Sequence, residues 1–164
     1  MRVVLRIEIE GEAQLAHTLE GVSGSVADLS DAWRFIARNV VYPSIALNFA
    51  MEGRPERWPE LSEAYAKWKL RTVGPVPILQ LHGGLVTAMT TEGSGGGKVE
   101  EIEPHSLTIG IERGGPIFYG IFHTSRRPRR TGLPRRQFLM LQPEDAERTI
   151  RAVQEHIMSR GRGI

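Results

Sequence analysis

The apolar residues of this chain change period three times, and that alternation of periods constrains the fold more than any single motif does. Over residues 2–10, Val3, Leu5, Ile7 and Ile9 alternate with Arg2, Arg6, Glu8 and Glu10, the two-residue period of a half-buried strand. Gly11 ends it, and Leu15 and Leu19 predict a short helix. The period then lengthens: Val26, Leu29, Trp33, Ile36 and Val40 recur at steps of three and four, as on one buried helical stripe. Ser25 and Asp28 have the spacing of a capping box at its start. Pro43 lacks an N–H and disfavours helical geometry at Tyr42, which predicts a kink or break, with Ile45, Leu47 and Phe49 continuing the helix towards Gly53. The strand period returns at Leu107, Ile109 and Ile111. The helical period returns once more after Pro143, Glu144, Asp145 and Glu147, a favourable first turn, with Ala146, Ile150, Val153 and Ile157 as the stripe and Arg160-Gly161 at the end.

Between these segments the chain is heavily punctuated. Pro55 and Pro59 bracket a turn. Leu61, Tyr65 and Trp68 share a face of a further helix capped by Ser62, and Thr72 to Pro77 is a breaker-rich loop. A short helical turn is expected after Gly84. Gly93 to Gly97 reads as a flexible linker or hairpin tip, and Lys98 to Glu103 as a charged, edge-like strand. Gly114-Gly115-Pro116 leads into Ile117–His123, apolar on both faces and read as another strand. The expected fold is therefore α+β: one domain over residues 1–164, an antiparallel sheet of about four strands, with a long kinked helix and a C-terminal helix packed on one side. Trp33, Ile36, Tyr65, Trp68, Ile109, Phe138, Ile150 and Val153 are the expected core.

Composition excludes several classes. The 164 residues include no cysteine, so neither a disulfide scaffold nor a thiolate zinc site is available, and the redox compartment stays open. Arg2 and Arg6 interrupt any signal-peptide core. The uncharged run Thr72–Thr91 contains Pro75, Pro77, Gly83, Gly84, Gln80 and His82, which argues against a membrane helix and for a soluble intracellular or assembly protein. The glycine run before Lys98 is not a Walker loop: Glu92 stands where its first glycine belongs, and Val99 replaces the Ser or Thr that holds magnesium. His17, His82, His105, His123 and His156 never pair at i,i+4, and no serine occupies a G-x-S-x-G elbow. No catalytic, cofactor or metal residue is assigned, and no enzyme is expected.

Charge is distributed unevenly. Residues 1–103 carry 10 Lys and Arg against 14 Asp and Glu, whereas residues 104–164 carry 11 against 5. Such polarity suits contact with nucleic acid or head-to-tail contact between subunits. The densest feature is Arg126, Arg127, Arg129 and Arg130 around Pro128, followed by Arg135 and Arg136. These six are the candidate contact residues, either for a phosphate backbone or for an acidic patch on a neighbouring subunit; a merely solvated loop is the plain alternative. Without interleaved aromatics the stretch does not read as a single-strand stacking platform, and no recognition helix is legible.

In order along the chain, Phe49, Gly53, Trp58-Pro59-Glu60-Leu61-Ser62, Tyr65 and Lys69 resemble the "F…G…W-x-x-L-s…K" block of the phage virion morphogenesis proteins, the tail-completion or head–tail joining factors of Mu-like and related tailed phages and prophages. Ile78 to Leu85 is similar to that family's "iL…tG-x-L" segment, Phe118 to His123 to its "Y-A-x-x-H" strand, and Leu133 to Leu139 with Glu144-Asp145 to its "i-P-A-R-P-F-L-G…e-D" segment. Thr124-Ser125-Arg126 depart from the family's glutamine and glycine, and Gln137 and Met140 replace a proline and a glycine. The resemblance spans about residues 30–158. It implies a non-enzymatic virion protein without cofactor, a homo-oligomeric ring (six-fold is usual there) at the tail or head–tail junction. The implied partners are other phage tail or connector proteins, with non-specific contact to phage DNA as a further option and no membrane. The alternative reading is a DNA-binding accessory protein that uses the arginine-rich stretch.

Overall fold

The computed structural model describes residues 1–9, 28–124 and 132–161. The helix expected at Leu15 and Leu19, the capping residue Ser25, Val26, and Arg126, Arg127, Arg129 and Arg130 lie outside that set.

Strands β1 (Arg2–Glu8), β2 (Lys98–Glu103) and β3 (Ser106–Glu112) form one antiparallel sheet in the order β1-β3-β2. Leu5 lies opposite Ile109, and both Ile7 and Ile102 lie opposite Leu107. Because side chains alternate faces, this register sends Val3, Leu5, Ile7, Leu107, Ile109 and Ile111 to the core. The opposite face carries ion pairs: Arg2–Glu101 at 2.6 Å, Arg6–Glu8 at 2.5 Å and Arg6–Glu103 at 3.7 Å. These are exposed, and each contributes at most about 1 kcal/mol.

A long helix covers the apolar face. It comprises α1 (Ser30–Ile36), a π-helical turn (Ala37–Val41) and α2 (Tyr42–Ala50). It starts later than the capping-box spacing predicts: Leu29 is the N-cap, and the Asp28 carboxylate accepts the Ser30 N–H at 2.8 Å. Leu29, Trp33, Ile36, Val40, Ile45 and Phe49 are buried, whereas Leu47 is exposed. Pro43 does not break the helix. In the turn before it the Tyr42 N–H reaches the Ala37 carbonyl, five residues back, and this wider coil accommodates a ring that has no N–H to give.

The sheet has three strands among the described residues because Ile117–His123 is not one of them. That stretch turns repeatedly through i→i+3 bonds, from Phe118 N–H to Gly115 at 3.1 Å and from Gly120 N–H to Ile117 at 2.9 Å, before the short helix (Gly120–Thr124). Ile117 and Ile121 are buried while Phe118 and Tyr119 face out. At Gly120 a Cβ would lie 2.6 Å from Ile111 and 2.9 Å from Leu85, so the backbone itself packs against the sheet's core side.

Four further elements complete the described chain in sequence order: α3 (Glu63–Val73), α4 (Gly84–Thr90), α5 (the Gly120–Thr124 helix) and α6 (Pro143–Gly161). The glycine run makes a tight hairpin tip. Gly95 and Lys98 exchange backbone bonds across Gly96 and Gly97, whose φ values of 59° and 90° are those of a primed turn. Gly115 backs onto it so closely that a Cβ there would meet the Gly96 carbonyl carbon at 2.0 Å.

Two expected core stripes are rotated. On α6, Asp145, Thr149, Val153 and Ile157 are buried, and Ile150 is exposed. The cause is the helix start: Asp145 caps the Gln142 N–H at 2.9 Å and bonds Ser44, which turns its side of the helix inward. On α3, Tyr65 and Trp68 are exposed, and the buried residue is Lys69.

Candidate functional site

The residues that carry the family-like pattern converge. Phe49 packs on Trp58 edge-to-face at 5.8 Å between centroids and on Phe138 at 5.1 Å. Gly53, with φ of 116°, lets the chain fold back onto Trp58; a Cβ there would sit 2.5 Å from the Glu56 carbonyl oxygen. The Trp58 indole N–H reaches the Gln137 carbonyl at 3.3 Å, and the Asn48 amide donates to the carbonyls of Phe138 and Met140 at 3.0 and 2.9 Å. The segment from Gln137 to Met140 is thereby strapped across the end of the long helix and Trp58.

The two described candidate arginines separate. Arg136 is 4% exposed, and its guanidinium donates to the Pro59 and Glu60 carbonyls at 3.0 and 2.9 Å. Burial holds its pKa below the usual arginine value. It is an anchor, not a free contact group. Arg135 is exposed and donates to the Gln137 amide oxygen. The Arg136 N–H bonds the His123 carbonyl at 2.8 Å, so His123 and Arg136 lie side by side. Burial and the Arg136 charge hold the His123 imidazole below its ordinary pKa, against an upward pull from the Pro134 carbonyl.

Sequence reasoning missed two polar clusters. In one, Arg54 donates to Asn48 at 2.9 Å and to the Ser44 carbonyl and hydroxyl at 2.9 and 2.7 Å, with Asp145 at 4.0 Å, which ties α2 to the start of α6. Polar Ser44 and Asn48 on the buried face of a helix were the available signal. In the other, Lys98 is buried beneath Tyr42: its ammonium lies 4.6 Å from the ring centroid, 3.3 Å from the hydroxyl and 3.2 Å from Glu100, and donates to the Thr91 carbonyl. Burial lowers the Lys98 pKa, which Glu100 partly offsets, and raises that of Tyr42. Both clusters are satisfied internally and read as fold supports. Among the described residues no three His, Asp or Glu side chains gather as a metal site would need, and no helix is long and apolar enough to cross a membrane.

The described surface near Arg136 is aromatic. Tyr65 and Trp68 stack at 5.3 Å, Tyr119 and Phe118 are exposed, and Tyr65 lies near enough to bear electrostatically on both Tyr119 and Arg136. Comparison with protein-family models, with curated proteins and with solved structures gives no match.

Proposed function

We infer that this chain is a structural virion protein of a tailed phage or prophage, acting in tail completion or head–tail joining as a ring of identical subunits. The observation that carries this reading is the ordered motif series, whose Phe49, Gly53, Trp58 and Phe138 meet in one packed knot. A pattern whose members touch is a fold requirement, harder to match by accident than scattered residues. The exposed aromatics supply the kind of surface that subunits bury. In particles whose genome encodes the chain, labelled antibody or a virion map should find it at the tail end or the head–tail junction, in a multiple set by the local symmetry. Its absence from purified particles would refute the reading.

The arginine density keeps one second reading, a DNA-binding accessory protein. That version requires sequence-independent binding that weakens steeply with salt.

A further inference from the structure

Half-buried His123, near the end of α5, ties down the residues that lead into the strap. Its carbonyl accepts the Arg136 N–H at 2.8 Å, and the Arg136 guanidinium reaches on to the Pro59 and Glu60 carbonyls at 3.0 and 2.9 Å. From Gln137 onward the chain is held separately. Trp58 bonds the Gln137 carbonyl, Asn48 bonds those of Phe138 and Met140, and the Phe138 ring is fully buried. Leu133 and Arg135 face out. Pro134 to Arg136 can therefore open about Gln137 while the core stays packed, a local opening that costs less than global unfolding.

The imidazole sits where a second ring proton has no place. A neutral ring needs one acceptor, which the Pro134 carbonyl supplies, whereas an imidazolium needs two. Nδ1 is enclosed and has no hydrogen-bond partner among the described residues, so an N–H there would be left unsatisfied. The surrounding charge has the same sign. Arg136 bears on the ring, Lys69 of α3 bears on Arg136 in turn, and both cations are buried. Glu52, the carboxylate that faces Lys69, is already committed to Arg57 at 2.6 Å and to the Ile78 N–H at 2.7 Å. The remaining titratable neighbours are Tyr65 of α3 and Tyr119, one turn before His123, and a tyrosine carries no charge in the acid range.

We propose that His123 is an acid-operated catch on Pro134–Arg136: on taking up a proton the ring leaves its place beside Arg136, the backbone bond between the two residues breaks, and the segment swings free while the sheet and the long helix stay folded. The opening turns Arg136 from a buried anchor into a second exposed cation next to Arg135. It depends on neither the ring reading nor the DNA-binding one.

Amide hydrogen exchange followed by NMR on the full chain tests the catch. In the open segment His123 titrates as an ordinary histidine. Protection of the Arg136 N–H, corrected for the intrinsic exchange rate, should therefore fall about tenfold per pH unit below about 6.5. It should level off where the His123 ring resonances themselves titrate, with Ile109 and Ile111 of β3 protected throughout. His123→Gln, which cannot take up the proton, should abolish the pH dependence. Arg136 protection that stays constant through the ring's titration, or that is lost only together with β3, would overturn the proposal. So would a His123→Gln chain that keeps the acid-induced loss. If that variant is open or unfolded at every pH, the slope in the unaltered chain decides.

Discussion

His123 stands where the strap meets the start of the arginine-rich stretch, and its environment gives the fold an acid sensitivity. Burial and Arg136 keep the folded-state pKa low. Between that lowered value and about 6.5, where an unfolded histidine titrates, the unfolded chain binds more protons than the folded one. Stability therefore falls as pH drops through this window, and the loss is complete below the folded value. Denaturant midpoints measured from pH 7.5 downward should show the slope, and His123→Gln should flatten it; an identical slope in the variant would locate the acid sensitivity elsewhere. Gly53 carries a different demand. With φ of 116° and no room for a Cβ beside Glu56 and Trp58, Gly53→Ala should cost about 1–3 kcal/mol, read as a lowered urea midpoint. A neutral result would mean that the Trp58 turn can open without loss.

At the scale of elements, burial separates the tryptophans. Trp33 is fully buried and Trp68 is not. Trp33→Ala should cost about 3–5 kcal/mol, whereas Trp68→Ser should stay within about 0.5 kcal/mol. Equal losses in chemical denaturation would show that α3 belongs to the core after all. This difference was invisible in the sequence, because Tyr65 and Trp68 at helical spacing look the same whether the face meets a core or faces out. The α+β class, the long helix with its Trp33 stripe, β1, β3 and the last helix were legible from their clean periods, and β2 was legible as a charged, edge-like strand. Ile117–His123 was not: a short apolar run fits a buried strand or a packed turn equally, and the close approach at Gly120 decided it. The stripe of α6 was misjudged for a related reason. Periodicity ranked Ile150 above Asp145, but a carboxylate that caps the helix and binds Ser44 must point inward. The two polar clusters escaped because their members lie far apart in sequence, as Ser44 and Asp145 do.

For the whole molecule, the question is whether six arginines in one region serve folding or contact. Arg136 belongs to folding: it is buried on two carbonyls that hold the strap to the residues after Trp58. Exposed Arg135 donates to a glutamine among the described residues. Arg126, Arg127, Arg129 and Arg130 lie within five residues, where mutual repulsion opposes the compact state. Changing those four together to Ser should therefore leave the melting temperature within a few degrees, while Arg136→Ser lowers it clearly. The same quadruple change should impair ring formation, virion joining or DNA retention. The salt response separates the possible partners. If the stretch meets an acidic patch on the next subunit, the wild-type oligomer should dissociate as salt rises while DNA binding stays negligible. If it meets phosphate, DNA affinity should fall steeply and without sequence preference as salt rises, with the oligomer intact. A quadruple variant that assembles normally and yields fully infectious particles would show that the stretch is solvated surface.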